Sequence, residues 1–185
     1  MIPEFIDKNF KDIEKKLRIY YENLKTIESL EYKCKVLEEQ KDSIFKDIKD
    51  INVTIDAELG MGVEIAERVQ TSPKWGGSAE NKIVNQVERL HEEWKKIRKE
   101  VLELRHQIRK LKMSNLNLGT ILYNKLDEDE KRFVKLKYGA GKDVPNRQLA
   151  DEMHMGETSV RRKKKKLAAL IYKELIKSGE ILAEF

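Results

Sequence analysis

The sequence predicts an all-α protein: a long helical hairpin or coiled coil followed by a C-terminal helix-turn-helix domain. Three observations carry this expectation. Apolar residues recur in steps of three and four along 6–51 and again along 83–122, the spacing of a heptad seam on a helix. Only 9 Gly and 3 Pro occur in 185 residues, too few breakers for a β or α/β fold. Charged residues make up 38% and aromatic residues 7%. An ordinary globular domain has about a quarter charged, so long solvated helices fit better than one thick core. Two domains are expected, 1–126 and 127–185, with a breaker-rich loop at 52–77 inside the first.

The first arm carries its stripe at Ile6, Phe10, Ile13, Leu17, Tyr20, Leu24 and Ile27, and then at Leu30, Cys34, Leu37, Lys41, Ile44, Ile48 and Ile51. Two steps of three follow one another between Leu24 and Leu30, a stammer that overwinds a coiled coil locally. Lys41 is the one charged seam position, and its stem can be buried while the ammonium reaches outward. Residues 6–51 would form a rod of roughly 70 Å, and a rod of that length needs a partner helix to cover its stripe.

Residues 52–77 read differently. Val53, Ile55, Ala57 and Leu59 alternate with polar residues before Gly60-Met61-Gly62, which allows a short β-hairpin or an irregular loop. Thr71-Ser72-Pro73-Lys74-Trp75-Gly76-Gly77 is a breaker cluster. Gly60-Met61-Gly62 lacks the Lys-Ser/Thr pair that would make it a nucleotide-phosphate loop.

Ser78 is the expected N-cap of the second arm, with Glu80 opposing the helix dipole. Its seam is Ile83, Val87, Leu90, Trp94, Ile97, Val101, Leu104, Ile108, Leu111, Asn115, Leu118 and Leu122. Asn115 is the single polar member. It either sets register, as buried polar seam residues can, or marks the end of the coiled coil near Ser114, Asn117 and Gly119. The two arms can pair as an antiparallel hairpin, as parallel homodimers, or as a four-helix arrangement of two hairpins. A homo-oligomer, most simply a homodimer through the coiled coil, is expected.

The character changes after Leu126. Asp127-Glu128-Asp129-Glu130 opens a helix through Lys137, since acidic residues suit a helix N-terminus. Tyr138-Gly139-Ala140-Gly141 closes it, with Gly139 or Gly141 at the C-terminal turn. A short helix from Arg147 to Met153, a turn at His154-Met155-Gly156 and a longer helix from Glu157 to Ser178-Gly179 have helix–turn–helix spacing. Ala150 supplies the small residue where two helices cross. Leu149, Met153, Met155, Val160, Leu167, Leu170 and Ile171 supply the buried contacts.

The longer helix carries Arg161-Arg162-Lys163-Lys164-Lys165-Lys166, six consecutive cations. Such a run repels itself and calls for an anionic partner. Together with the motif it points to double-stranded DNA. The second helix of such a motif enters the major groove with its N-terminal side chains at base edges. Those are Glu157, Thr158, Arg161, Arg162 and Lys165, expected on the face opposite Val160 and Leu167. Arginine suits bidentate contact to guanine and Glu157 suits cytosine. Lys163, Lys164 and Lys166 are expected at phosphates, and Arg147 and Gln148 at the DNA backbone, aided by the free N–H groups of their helix.

Leu126-Asp127-Glu128-Asp129-Glu130-Lys131-Arg132-Phe133-Val134-Lys135-Leu136-Lys137-Tyr138, Gln148-Leu149-Ala150-Asp151-Glu152-Met153 and Thr158-Ser159-Val160-Arg161-Arg162 together resemble region 4 of sigma-70-type RNA polymerase factors. The layout is similar to phage-encoded, sigma-region-4-like regulators of the ArpU/RinA class. Ser78-Ala79-Glu80-Asn81 is similar to the corresponding stretch of clostridial prophage members. The resemblance implies promoter DNA as ligand and RNA polymerase as partner. Region 4 usually has Gly where His154 stands and Ser where Gly156 stands, and an apolar residue is common at the place of Lys164. The arms do not resemble the aromatic, promoter-melting region 2, so a DNA-binding activator is expected rather than a self-sufficient sigma factor. The alternative is a coiled-coil adaptor or partition accessory protein with secondary, weakly specific DNA binding.

No catalytic constellation, metal site or cofactor is expected. His91, His106 and His154 are spread apart without carboxylate or cysteine partners. Cys34 sits on the seam as a small hydrophobe, and one cysteine permits no internal disulfide. No run of eighteen apolar residues and no basic-then-apolar leader is visible. No membrane span is therefore expected, and a cytoplasmic setting is.

Overall fold

The fold was analysed in a computed structural model. It describes the backbone of residues 3–66, 77–140 and 144–179, and side chains within 9–51, 83–140 and 144–179. Five helices are found among the described residues and no strand: α1 Pro3–Ala66, α2 Gly77–Lys125, α3 Glu128–Tyr138, α4 Asn146–Glu152 and α5 Glu157–Lys177. The all-α expectation therefore holds.

One expectation is corrected at once. The stretch 53–65, read as a hairpin or loop, is helical, and α1 runs on through Ala66. A glycine inside a helix costs about 1 kcal/mol. Two of them within sixty-odd residues do not stop a helix already nucleated upstream. The breaker cluster 71–76 lies outside the described residues. α2 begins at Gly77, one residue before the expected cap at Ser78, within the usual uncertainty of a helix end.

The chain divides into two compact units. One takes in Leu30–Gln107, where α1 and α2 pair through Cys34, Val101 and Leu104, with Leu30, Leu37 and Ile97 packed around them. Ile44 and Ile48 are buried as the seam predicts. Trp94 is half-buried, with the Arg98 guanidinium 5.3 Å from its ring centroid. Lys33 pairs with Glu100 at 2.7 Å and Arg105 pairs with Glu38. These pairs are solvent-exposed and add little stability each.

The other unit joins the chain up to Ser29 with everything from Ile108 onward. The boundary expected at 126/127 is therefore not a boundary between compact units. Ile13 and Leu17 of α1, and Leu118, Ile121 and Leu122 of α2, belong to one apolar cluster with Phe133, Val134, Leu149, Val160, Leu167, Ile171 and Leu175 of α3–α5. Here α1 and α2 run antiparallel: Asn23 donates to Asn115 Oδ1 at 2.9 Å, and Asn115 donates to the Tyr20 carbonyl at 3.1 Å. Asn115 is buried and satisfied well inside α2, so it does not mark the end of the pairing. Gly119 follows one turn later, and a Cβ there would stand 3.4 Å from the Tyr20 ring. Leu24, where the stammer begins, stays 39% exposed.

Each helix of the C-terminal part starts and stops for a local reason. Asp127 caps α3 in a capping box: its carboxylate accepts from the Glu130 N–H at 2.7 Å, and Glu130 reaches back to the Asp127 N–H. At the other end, Gly139 stands where a Cβ would meet the Lys135 carbonyl oxygen at 2.5 Å. α5 ends at Lys177 with Ser178 as its C-cap, and Gly179 follows in the left-handed region at φ 75. Among the described residues, no helix is long and apolar enough to cross a membrane.

Candidate nucleic-acid interface

α4 and α5 are held together by the buried side chains of Leu149, Ala150 and Val160. The turn between them is tied by the Met155 N–H donating to the Ala150 carbonyl at 3.0 Å. His154 occupies the turn at φ 51, among the described residues the only one other than glycine with positive φ. A glycine would adopt that left-handed backbone without steric cost. A Cβ in that region costs about 1 kcal/mol. His154→Gly is accordingly expected to raise stability by roughly 0.5–1 kcal/mol, read as a higher midpoint in thermal unfolding. A lower midpoint would show that the exposed imidazole contributes more than the strain costs. Gly156 is the N-cap of α5 and makes no side-chain cap bond. A Ser at this position would supply one.

The N-terminal half of α5 presents Glu157, Thr158, Arg161, Arg162 and Lys165 to solvent; Thr158, Arg161, Arg162 and Lys165 lie on the side away from buried Val160 and Leu167, whereas Glu157 stands one turn before Val160 on its side of the helix. This is the arrangement that the 3.6-residue period predicts. Lys166 is exposed too. Among the described residues Arg162, Lys165 and Lys166 form no ion pair. Arg161 pairs with Glu157 at 2.9 Å on the helix surface. Such an exposed i,i+4 pair is worth only about 0.3–0.5 kcal/mol and yields readily to a stronger partner. Arg147 and Gln148 are exposed on α4, Gln148 donating to Glu152 at 3.0 Å.

Two members of the basic run behave differently from expectation. Lys163 is half-buried with its ammonium 5.6 Å from the centroid of the Phe133 ring, a cation–π contact to the core. Lys164 is turned inward. Its side chain is 19% exposed and its Nζ lies 2.7 Å from Glu14 Oε1, whose own side chain is 15% exposed. Its ammonium also lies 5.0 Å from the Phe10 ring centroid. Lys164 is thus corrected from a phosphate contact to a structural cation, because α1 brings it a carboxylate. The six cations are not without counter-charge.

Glu14 is the residue that sequence reasoning missed. Its Oε1 also accepts from the Tyr138 hydroxyl at 2.9 Å, so one carboxylate of α1 joins the end of α3 to the middle of α5. Nothing local marks it among the acidic residues of α1. Below it, Lys137 is buried and donates to the Val144 carbonyl. At the far end of α5, hydrogen bonding from Lys177, reinforced by the charges of Lys177 and Lys125, holds the Glu174 carboxyl below its ordinary range. Burial, with the neighbouring Tyr20, pushes the Tyr21 hydroxyl up to about 12.

His91, His106 and His154 are all exposed. Among the described residues no group of three His, Cys, Asp or Glu side chains is placed to hold a metal ion. Comparison with family models, with curated proteins and with solved structures returns no match to this chain.

Proposed function

We propose that the protein is a sequence-specific, double-stranded-DNA-binding transcription regulator that works in the cytoplasm, with α5 as its reading helix. The observation that carries this reading is the single exposed face formed by Thr158, Arg161, Arg162 and Lys165 on the second helix of a helix–turn–helix. A helix fits the major groove, and arginines at its leading end can reach guanine O6 and N7. Lys166, Arg147 and Gln148 would contact phosphates and fix register. The resemblance to sigma region 4 extends the reading to a phage or prophage activator that touches host RNA polymerase. A symmetric dimer would place two α5 helices at half-sites about 34 Å apart.

The test is selection of bound duplexes from a random pool, followed by titration of the selected and a scrambled duplex over a salt series. A preference of a thousandfold or more is expected for a specific binder. Arg161→Ala with Arg162→Ala should cost about 1–3 kcal/mol per lost bidentate contact on the selected duplex and little on the scrambled one. A wild-type protein that binds both duplexes equally would favour the adaptor reading instead. A double variant that keeps its preference would show that another face reads the bases.

A further inference from the structure

We propose that residues 113–124 of α2 are the contact face of a homodimer. The same stretch of a second copy crosses it antiparallel, with Met113 of each copy against Tyr123 of the other. This does not rest on the reading of α5 as a DNA-binding helix.

Composition singles out this stretch. Met113 to Asn124 is a run of twelve residues without Asp, Glu, Lys or Arg in a chain that is 38% charged, and nowhere else does such a run exceed six. Its inner side, with Asn115, Leu118, Ile121 and Leu122, is buried. Its outer side carries Met113, Leu116, Thr120 and Tyr123 in steps of three, four and three. That is a second, outward-facing heptad seam, with Met113 70%, Leu116 55% and Tyr123 77% exposed. Apolar side chains gathered at one exposed place mark a contact site. The hydroxyls beside them are already satisfied: Thr120 donates to the Leu116 carbonyl at 2.8 Å and Ser114 to the Leu111 carbonyl at 2.9 Å. Covering the face therefore takes a partner from neither. Tyr20 and Leu24 of α1 extend the face into an open groove beside Leu116, Thr120 and Tyr123.

Two features select a second copy as the occupant and set its direction. The seam is complementary to itself. A two-fold axis at the level of Leu118 places Met113 against Tyr123 and Leu116 against Thr120, each twice, as an isologous contact requires. A thioether then meets an aromatic ring at each end, and the smaller Thr120 receives Leu116 at the centre. The bordering charges also change sign along the chain: Arg109, Lys110 and Lys112 precede the run, and Asp127, Glu128, Asp129 and Glu130 follow it. Lys125, between the run and the acidic block, lies 3.7 Å from Glu174. An antiparallel copy brings each basic border to the acidic border of the other, with Arg109 level with Asp127. A parallel copy would set like charges together.

The experiment measures the mass of the full chain by analytical ultracentrifugation over a concentration series through the micromolar range. Wild type is expected to pass from monomer to dimer. Met113→Lys alone and Tyr123→Glu alone each place an unpaired charge in both halves of the contact, and each should weaken association at least about tenfold. M113K/Y123E should recover association to within about threefold of wild type, because opposite charges then face each other across the dimer. Within one helix the two positions stand about 15 Å apart, so the recovery cannot arise inside a single copy. Leu102→Lys, at an exposed apolar position of α2 in the other unit, serves as control and should match wild type. All three positions are exposed, and unchanged far-UV circular dichroism confirms that the variants fold. Four outcomes would each overturn the proposal: a wild type that stays monomeric, single variants that associate like wild type, a double variant no stronger than the singles, or an equal loss in L102K.

Discussion

Phe133→Ala is expected to destabilise the unit that carries α3–α5 by about 3–5 kcal/mol, the usual cost of deleting a fully buried aromatic ring. The ring is 1% exposed and lies in the cluster shared by Ile13, Leu118, Leu149 and Ile171. Its removal leaves a cavity bounded by several helices, which no single rotamer change can fill. The Lys163 ammonium over the ring also loses its partner, adding about 0.5–1 kcal/mol. Denaturant unfolding followed by far-UV circular dichroism measures the effect. Trp94 fluorescence reports the Leu30–Gln107 unit as an internal reference. A loss below about 1 kcal/mol would mean that the cluster is loosely packed and that Phe133 is not at its centre.

The second large effect is expected from Glu14→Ala, which should cost about 2–3 kcal/mol. A fully buried ion pair broken on one side costs about 3–5 kcal/mol, and an exposed one about 0–1 kcal/mol. With side chains 15% and 19% exposed, the Glu14–Lys164 pair falls between those limits. Removing the carboxylate also takes away the acceptor of the 2.9 Å bond from the Tyr138 hydroxyl. A double-mutant cycle with Lys164→Met separates the pair from general packing. The double variant should recover at least about 1 kcal/mol of the sum of the single losses, since the uncompensated ammonium is gone. Strict additivity within about 0.5 kcal/mol would show that the two groups are not coupled. Tyr138→Phe should cost about 1 kcal/mol through the same carboxylate.

What could be read from the sequence divides by range. The seams were legible because heptad spacing is a local signal: Ile13, Leu17, Ile27, Cys34, Ile44, Ile48, Val101, Leu104, Ile108, Leu118 and Leu122 are all buried. The exposed face of α5 was legible for the same reason. Gly60-Met61-Gly62 misled because alternation of Val53, Ile55, Ala57 and Leu59 is a weak strand signal over so short a span, and helix continuation overrides it. The inward turn of Lys164 was hidden, since its partner lies 150 positions away in the chain. A charge run shows its sign in sequence but not which of its members will meet a carboxylate. The joining of residues 10–21 to the C-terminal cluster was hidden likewise. The change of composition at Leu126 marks a change of helix, not the edge of a core.

The joining of residues 10–21 to the C-terminal cluster orders events on the ribosome. Ile13 and Leu17 emerge before their partners on α2, which follow about a hundred residues later, a delay of roughly 5–20 s at ordinary synthesis rates. Leu30–Gln107 is a contiguous stretch that can pair before the rest is made. The unit that carries α3–α5 closes only after α5 has left the exit tunnel. Residues 10–21 therefore wait for α5, which comes later in the chain, before this core can close.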